Sequence, residues 1–162
     1  MNITFEQMAD PYSEDVFGLT KKGLYPFVDE VFGWDDAFQK QRMRDDYKPE
    51  WFYWVVESNI RLGYVCFKPY NQSLHLHLII LAQRFIGNGC GRKVMEAVHK
   101  VAEKEDRDVT LSSFKCNERA VNMYKSLRYE IEGEDEHFIL FRKPHNKLLN
   151  SDVKKACALV KR

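Results

Sequence analysis

The stretch QRFIGNGCGRKVM, residues 83–95, carries three glycines at alternate positions between an apolar run and a helical pattern. A turn of this kind, when it opens a helix, presents backbone N–H groups and the positive end of the helix dipole to an anion. The same glycines would also suit a tight strand-to-helix turn that binds nothing. The loop alone therefore leaves both phosphate binding and a purely steric role open.

The composition favours one domain with a small-molecule partner. The chain has 162 residues, is 44% hydrophobic, and contains no Pro-, Gly- or Ser-rich linker. This length predicts a single core. The 25 basic and 24 acidic side chains give a formal net charge of +1, which argues against a nucleic-acid-binding protein.

Cysteine spacing and the N-terminal residues indicate the cellular compartment of the protein. The cysteines lie far apart, without a C-x-x-C pair, at Cys66, Cys90, Cys116 and Cys157. Neither a disulfide framework nor a metal site is predicted from this spacing. The N-terminus lacks a basic start followed by an apolar run, and no run approaches the roughly 18 apolar residues of a membrane span. We expect a cytoplasmic protein with no membrane partner.

Apolar periodicity predicts the order of the secondary-structure elements. The predicted strands are residues 2–8, 51–57, 62–67, 74–81, 109–114, 129–132 and 137–142. Helical spacings predict two short helices within residues 13–46, a helix after Gly91 and another after Asn117. Pro26 fits the first helix only within its first turn, whereas Asp35 and Asn117 are placed to cap helices.

This order predicts an α/β domain of the α+β type, with a mixed, largely antiparallel sheet flanked by helices on both faces. The domain is expected to cover residues 1–143. A basic tail follows at residues 144–162, and the sequence leaves open whether it is a loosely attached helix or disordered.

Two motifs, in the expected order, resemble those of the GNAT superfamily of acyl-CoA-dependent N-acyltransferases. The pyrophosphate motif Q/R-x-x-G-x-G/A is matched by residues 84–89, RFIGNG, at a strand-to-helix junction. The second motif, an Asn leading a helix with Ala three and Tyr seven residues later, is matched by Asn117, Ala120 and Tyr124. The resemblance therefore implies a GNAT-like fold and an acetyltransferase.

The resemblance extends over residues 3–143 and is sharpest over residues 74–129. It departs after the second motif, where the usual Gly-Phe pair is replaced by Arg128 and Tyr129. The aromatic residue is kept but the glycine is lost. Arg128 is thus expected to be either a strained left-handed helix cap or part of a turn built differently.

The resemblance implies acetyl-CoA as co-substrate, in a V-shaped opening between the strands at residues 74–81 and 109–114. Its pantetheine arm should pair with backbone near Leu81, and its pyrophosphate should lie on the amides of residues 86–92. The implied CoA-binding residues are Ile80, Leu81, Arg84, Ile86, Gly87, Asn88, Gly89, Cys90, Gly91, Arg92 and Asn117. Cys90 and Cys116 are interpreted as ordinary loop residues rather than nucleophiles.

Direct attack of an amine on a thioester calls for a base and an acid, because an alkylammonium has a pKa of about 10. The motif match implies that Tyr124 is the acid, although its apolar helix stripe also suits a core tyrosine. His75 and His77 occupy alternate positions of one strand and should share a face. They resemble the His-x-His strand of serotonin N-acetyltransferase, a GNAT member. At least one is predicted to be the base; the alternative is a pair of packed histidines.

The acceptor is less well defined by the sequence. Helices in residues 19–46 are expected to line the part of the site that binds the acceptor. Trp34 and Glu30 are candidate contacts for an amine cation there. The alternatives are a core tryptophan and a solvated carboxylate.

The predicted function is acetyl transfer to the primary amine of a small molecule or peptide in a ternary complex. Alternatives are a non-catalytic acyl-CoA-binding sensor and a protein-modifying acetyltransferase that acts on lysine or N-termini. A homodimer stays open.

Overall fold

The alternating segments of the sequence form one seven-stranded sheet in the structure, a computed structural model that describes residues 2–146. The strands are β1 Thr4–Gln7, β2 Phe52–Glu57, β3 Ile60–Pro69, β4 Ser73–Leu81, β5 Asp108–Phe114, β6 Glu130–Glu134 and β7 Phe138–Lys143. The helices are α1 Glu14–Phe32, α2 Asp36–Asp46, α3 Cys90–Lys104 and α4 Glu118–Ser126. Among these residues, no helix is both long and apolar enough to cross a membrane.

The sheet is mixed and largely antiparallel, as predicted. Its order is β1-β2-β3-β4-β5-β7-β6, and β4–β5 is the parallel pair among antiparallel neighbours. One core packs Val98 of α3 and Val121 of α4 against the sheet. A second core packs Phe17 of α1 and Met43 of α2 against other strand residues. Helices therefore cover both faces, which confirms the predicted fold class.

Strands β4 and β5 separate before either of them ends. Their pairing runs from Ser73 opposite Asp108 to Leu76 opposite Leu111 and stops there, although both strands continue. The β3–β4 register shifts at the same point, since Phe67 pairs with Leu76 and the preceding residue of β3 pairs with Leu78. His77 is thus the extra residue of a β-bulge, a feature that bends a strand. The gap is the V-shaped opening that the family resemblance implied.

The segment after β1 differs from the prediction of two short helices. Helix α1 has 19 residues and contains Pro26 well inside it, so the prediction that Pro26 would lie in a first turn was wrong. Pro26 and Lys22, whose carbonyl loses its helical donor, are both exposed, so water can reach that carbonyl. Asp35 caps α2 as predicted, because its Oδ1 accepts a hydrogen bond from the Phe38 N–H at 2.8 Å.

Helix α4 ends in a Schellman motif built with an arginine. Arg128 has a φ of +68°, and its N–H donates to the Lys125 carbonyl at 3.0 Å while the Tyr129 N–H donates to the Tyr124 carbonyl at 3.0 Å. These are the two bonds of that motif. The left-handed cap is therefore kept without the usual glycine. Tyr129 is buried, and its hydroxyl lies 2.7 Å from His99 Nε2.

Replacing Arg128 with glycine should stabilise the domain by about 1 kcal/mol, because a left-handed φ costs an L side chain about that much. The side chain of Arg128 is exposed, so little packing is lost. Thermal or urea unfolding measures the gain. Arg128→Ala is the matched control, since it removes the side chain but keeps the Cβ; a gain of the same size in that variant would contradict backbone strain as the cause.

Asp108, at the start of β5, forms hydrogen bonds with the end of β7 and with the segment that follows it. Its Oδ1 accepts from the His145 N–H at 2.9 Å and lies 2.6 Å from His145 Nδ1, and its Oδ2 accepts from Arg142 at 2.9 Å. Burial favours a higher pKa for Asp108, but the bonds from His145 and Arg142 outweigh it and keep that pKa below its usual range. The first residues of the predicted tail are thus anchored, and residues 147–162 lie outside the described part of the chain.

Candidate active site

A cleft of about 1670 Å³ opens where β4 and β5 separate. Its lining residues belong partly to the glycine loop and α4, on the face that carries α3, and partly to α1 and α2 on the opposite face. Two ligands bound on opposite faces of the sheet can therefore meet through the gap between the strands.

The glycine loop has the geometry of an anion site. Gly87 and Gly89 have φ values of +88° and +77°, which favour glycine. Gly89 is the N-cap of α3 and makes no side-chain capping bond, so the first N–H groups of that helix have no partner within it. A Cβ on Gly89 would meet no atom within 4 Å. Free amides, a helix N-terminus and open space thus coincide, as phosphate binding requires.

The structure corrects part of the expected phosphate contact. The Ile86 N–H already donates to the Gln83 carbonyl at 3.1 Å, so the amides free for a pyrophosphate begin after residue 86. The predicted CoA-binding residues that line the cleft are Ile80, Leu81, Ile86, Gly87, Gly89, Gly91, Arg92 and Asn117.

Three predicted CoA-binding residues are not among those that line the cleft. The Arg84 guanidinium lies 4.7 Å from the Phe85 ring centroid. Asn88 Nδ2 donates to the Arg84 carbonyl at 3.3 Å, and Cys90 is the first residue of α3. Arg84 and Asn88 therefore shape the loop through local contacts.

A cation at the glycine loop was missed from the sequence. Arg119, in the first turn of α4, lines the cleft, and its Nη1 lies 3.6 Å from where a Cβ on Gly87 would be. Arg92 also lines the cleft, and its Nη2 donates to Ser126 Oγ at 2.5 Å. Two guanidinium groups thus add positive charge where an anion would lie. The signal was present, because Arg119 falls inside the Asn-to-Tyr motif.

Tyr124 has both a core contact and access to the cleft. It is 4% exposed, and its ring centroid lies 5.4 Å from that of Tyr129 and 5.6 Å from that of Phe141. It also borders the cleft. Burial raises the pKa of Tyr124 above its ordinary range, so the phenol is protonated at neutral pH and can donate a proton.

His75 and His77 lie together at the cleft, with ring centroids 4.6 Å apart. The prediction that they share a face is confirmed, although strict alternation breaks at His77. Leu76 packs in the α3–α4 core and Leu78 packs in the α1–α2 core. The even-numbered side chains of β4 therefore change from one face of the sheet to the other across the bulge at His77. His75 Nδ1 lies 2.8 Å from Thr110 Oγ1.

The two histidines differ in their surroundings. His77 stacks on Trp51 at 5.4 Å with an interplanar angle of 10°, and its buried Nε2 has no hydrogen-bond partner among the described residues. Burial lowers the pKa of His75. Burial, with the charges of His75 and Lys68, lowers the pKa of His77 to about 4. Both rings are neutral at pH 7 and can accept a proton, but His77 is the weaker base.

Trp34 and Glu30 do not line the cleft in the described part of the chain. The indole of Trp34 donates to Asp36 Oδ1 at 2.6 Å and packs against Phe17 at 6.2 Å. Glu30 is exposed, and burial together with that carboxylate raises the pKa of the Cys116 thiol. The geometry agrees with the alternatives of a packed tryptophan and a solvated carboxylate. The face of the cleft on the side of α1 and α2 is lined by other residues of these helices, among them Phe27, Phe32 and Phe38.

Comparison with known proteins agrees with this geometry. Residues 21–129 match the sequence profile of the acetyltransferase (GNAT) family. The chain belongs to this family. Among curated protein sequences no significant match was found.

Solved structures resemble the GNAT domain described above along most of its length. The PaiA N-acetyltransferase from Thermoplasma acidophilum, in complex with coenzyme A, has a TM-score of 0.69 and 12% identity, covering 90% of this chain and 100% of that chain. A GNAT-family acetyltransferase from Listeria monocytogenes has a TM-score of 0.62 and 16% identity, covering 87% and 94%. An acetyltransferase from Thermus thermophilus has a TM-score of 0.61 and 13% identity, covering 89% and 97%. At these identities the likeness shows the fold alone.

Proposed function

We propose that this GNAT-family protein transfers the acetyl group of acetyl-CoA to a primary amine by direct attack in a ternary complex. The observation that carries the proposal is the gap between β4 and β5, which connects the glycine loop on one face with the histidine pair on the other. A donor held by its phosphates and an acceptor held near a base can meet at this gap.

The donor side of the cleft suits acetyl-CoA. The amides of residues 87–92 and the start of α3 would hold the pyrophosphate, and Arg92 and Arg119 would add opposite charge. Within residues 2–146, no strand pairs with the edge of β4 that faces β5 beyond Leu76. Its backbone groups are therefore free to bond the amides of the pantetheine arm.

The acid and the base act on opposite sides of the thioester. His75 takes a proton from the bound alkylammonium, directly or through water, and the amine nitrogen then attacks the thioester carbon. A C–N bond forms, the C–S bond breaks, and Tyr124 gives its proton to the departing thiolate. His75 passes the first proton to solvent and accepts the second, which the nitrogen loses as the amide forms, and the phenol regains a proton from solvent. The products are the acetylated amine and CoA, and no covalent intermediate on the protein is needed.

The same observations favour an enzyme over an acyl-CoA sensor. A sensor needs the donor site alone, whereas this cleft also brings a protonated phenol and two neutral imidazoles to its walls. Release of CoA thiol across a panel of amines, with mass spectrometry of the acceptors, tests the proposal. Acceptor-dependent release supports acetyl transfer; CoA binding without turnover of any acceptor would favour the sensor.

Gly89→Glu should weaken CoA binding about 10- to 50-fold in isothermal titration. The substitution forces an L side chain to a φ of +77° and puts a carboxylate where an anion would lie. Gly133→Glu is the matched control, because a Cβ there meets no atom within 4 Å and Gly133 does not line the cleft. Unchanged CoA affinity in a folded Gly89→Glu protein would contradict this placement of the pyrophosphate.

A further inference from the structure

A cluster of aromatic rings forms one wall of the cleft on the acceptor side. It consists of Phe27 and Phe32 from α1, Phe114 at the end of β5 and Phe138 at the start of β7, here called the phenylalanine cluster. Phe114 lies 4.5 Å from Phe138 and 6.3 Å from Phe27, and Phe32 lies 6.3 Å from Phe138, measured between ring centroids. All four line the cleft.

The cluster is partly uncovered. Phe32 is 61% exposed, and Phe38 of α2, which lines the same cleft, is 63% exposed. Large aromatic side chains left open inside a concave site are typical of a surface that an apolar ligand covers. The rings of the cluster offer aromatic faces and edges against which a ligand ring can pack.

The charges of the cleft do not suit a polycation. Among its described lining residues the carboxylates are Asp35 and Glu118. Asp35 Oδ1 already accepts the Phe38 N–H at the start of α2, and Glu118 lies in the first turn of α4. An acceptor with several ammonium groups would therefore find few carboxylate partners among these lining residues.

Strand β5 connects the cluster to the histidine pair. Thr110, Ser112 and Phe114 occupy alternate positions, so they lie on one face at intervals of roughly 7 Å. Thr110 contacts His75, and Ser112 lines the cleft between them. A ring resting on Phe114 would thus place an amine two or three bonds away near Ser112, on the side toward Thr110 and His75, where proton transfer to His75 can run through water.

We propose that the acceptor is a small molecule with a single primary amine on an aromatic or similarly bulky apolar body, which rests on the phenylalanine cluster. This inference rests on the proposed acetyl transfer and names the acceptor class for the same site. The ring supplies affinity through apolar burial, and the short linker sets the nitrogen at the gap between β4 and β5.

Steady-state acetylation of matched amines tests the proposal. The panel is 2-phenylethylamine, ethylamine, spermidine and a peptide with a free N-terminus. We expect kcat/KM for 2-phenylethylamine to exceed that for ethylamine by about 100-fold, as burial of a phenyl ring allows, and to exceed those for spermidine and the peptide. Equal values for the two monoamines, or a preference for spermidine or the peptide, would overturn the acceptor class while acetyl transfer stands. No turnover of any acceptor, with CoA binding intact, would overturn both.

Phe32→Ala separates recognition by the cluster from a structural role. It should lower kcat/KM for 2-phenylethylamine about tenfold, mainly through KM, and leave ethylamine unchanged, while Phe32→Trp should restore most of the loss. Ile131→Ala is the control, since Ile131 is 51% exposed on β6 and does not line the cleft. An equal loss for both monoamines would refute the proposal, and so would a dimer that Phe32→Ala converts to monomers, because the cluster would then be covered by a second copy.

Discussion

Replacing Tyr124 with phenylalanine should lower kcat for acetyl transfer by about 10²- to 10³-fold, the range expected when a general acid is removed. The thiolate would then leave without a proton from the protein. Tyr124 is 4% exposed and packs against Tyr129 and Phe141, contacts that a phenylalanine ring can keep. The affinity for CoA should therefore stay within about twofold. Acceptor-saturated kinetics and calorimetric titration with CoA measure the two quantities.

Tyr129→Phe is the matched control for this result. It removes a phenol that neighbours Tyr124 and is also buried, but this hydroxyl bonds His99 and the residue does not line the cleft. We expect Tyr129→Phe to lower stability by about 1 kcal/mol with kcat unchanged. If Tyr124→Phe behaved like Tyr129→Phe, the phenol of Tyr124 would be a core group and the acid would have to be sought elsewhere.

The features that the sequence predicted well depend on local backbone requirements. Gly89 and Asn117 stand at the starts of helices, where a left-handed residue or a side-chain cap is needed, so their roles can be read without knowing what packs nearby. Asp35 is a third case of the same kind. The glycine loop and the start of α4, which form the proposed donor half of the cleft, were predictable because each carries such a local signal.

The proposed acceptor half of the cleft depends on contacts between distant segments. The phenylalanine cluster joins Phe27 to Phe114 and Phe138, and no periodicity links positions so far apart in the chain. Trp34 and Glu30 were chosen for their chemistry, but side-chain direction between α1 and α2 is set by tertiary packing. The prediction for Pro26 was wrong for a related reason. Packing of α1 against the sheet outweighs the low helix propensity of proline, and Pro26 lies on the exposed face of that helix.

Removing both imidazoles with His75→Ala and His77→Ala should lower kcat about 100-fold at pH 7 and abolish the acidic limb of its pH profile. A base works when it is deprotonated, so activity falls as pH drops through its pKa. Because burial lowers the pKa of His75, the wild-type limb should lie below the ordinary histidine value of about 6.5. A double variant whose profile keeps the same limb would refute the role of the pair.

Single variants assign the base within the pair. His77→Phe keeps a ring to stack on Trp51 and removes an imidazole whose pKa is about 4, so the limb and most of kcat should remain. His75→Gln should lose both, while keeping a group able to bond Thr110. His99→Gln is the control, because burial and Lys143 also lower the pKa of His99 to about 4 but it does not line the cleft.

The reverse pattern, with the limb lost in His77→Phe and kept in His75→Gln, would assign the base to His77 despite its low pKa. That result would mean that the bound ammonium makes His77 the better proton acceptor of the two. The buried Nε2 of His77, which has no hydrogen-bond partner among the described residues, would gain a donor only when the acceptor is present. His75, whose ring centroid lies 4.6 Å away, would then affect the reaction only through the pKa of His77, which a charge on His75 lowers. The two outcomes differ in the apparent pKa of the limb, which should lie near 4 if His77 is the base and between that value and the ordinary histidine value if His75 is the base.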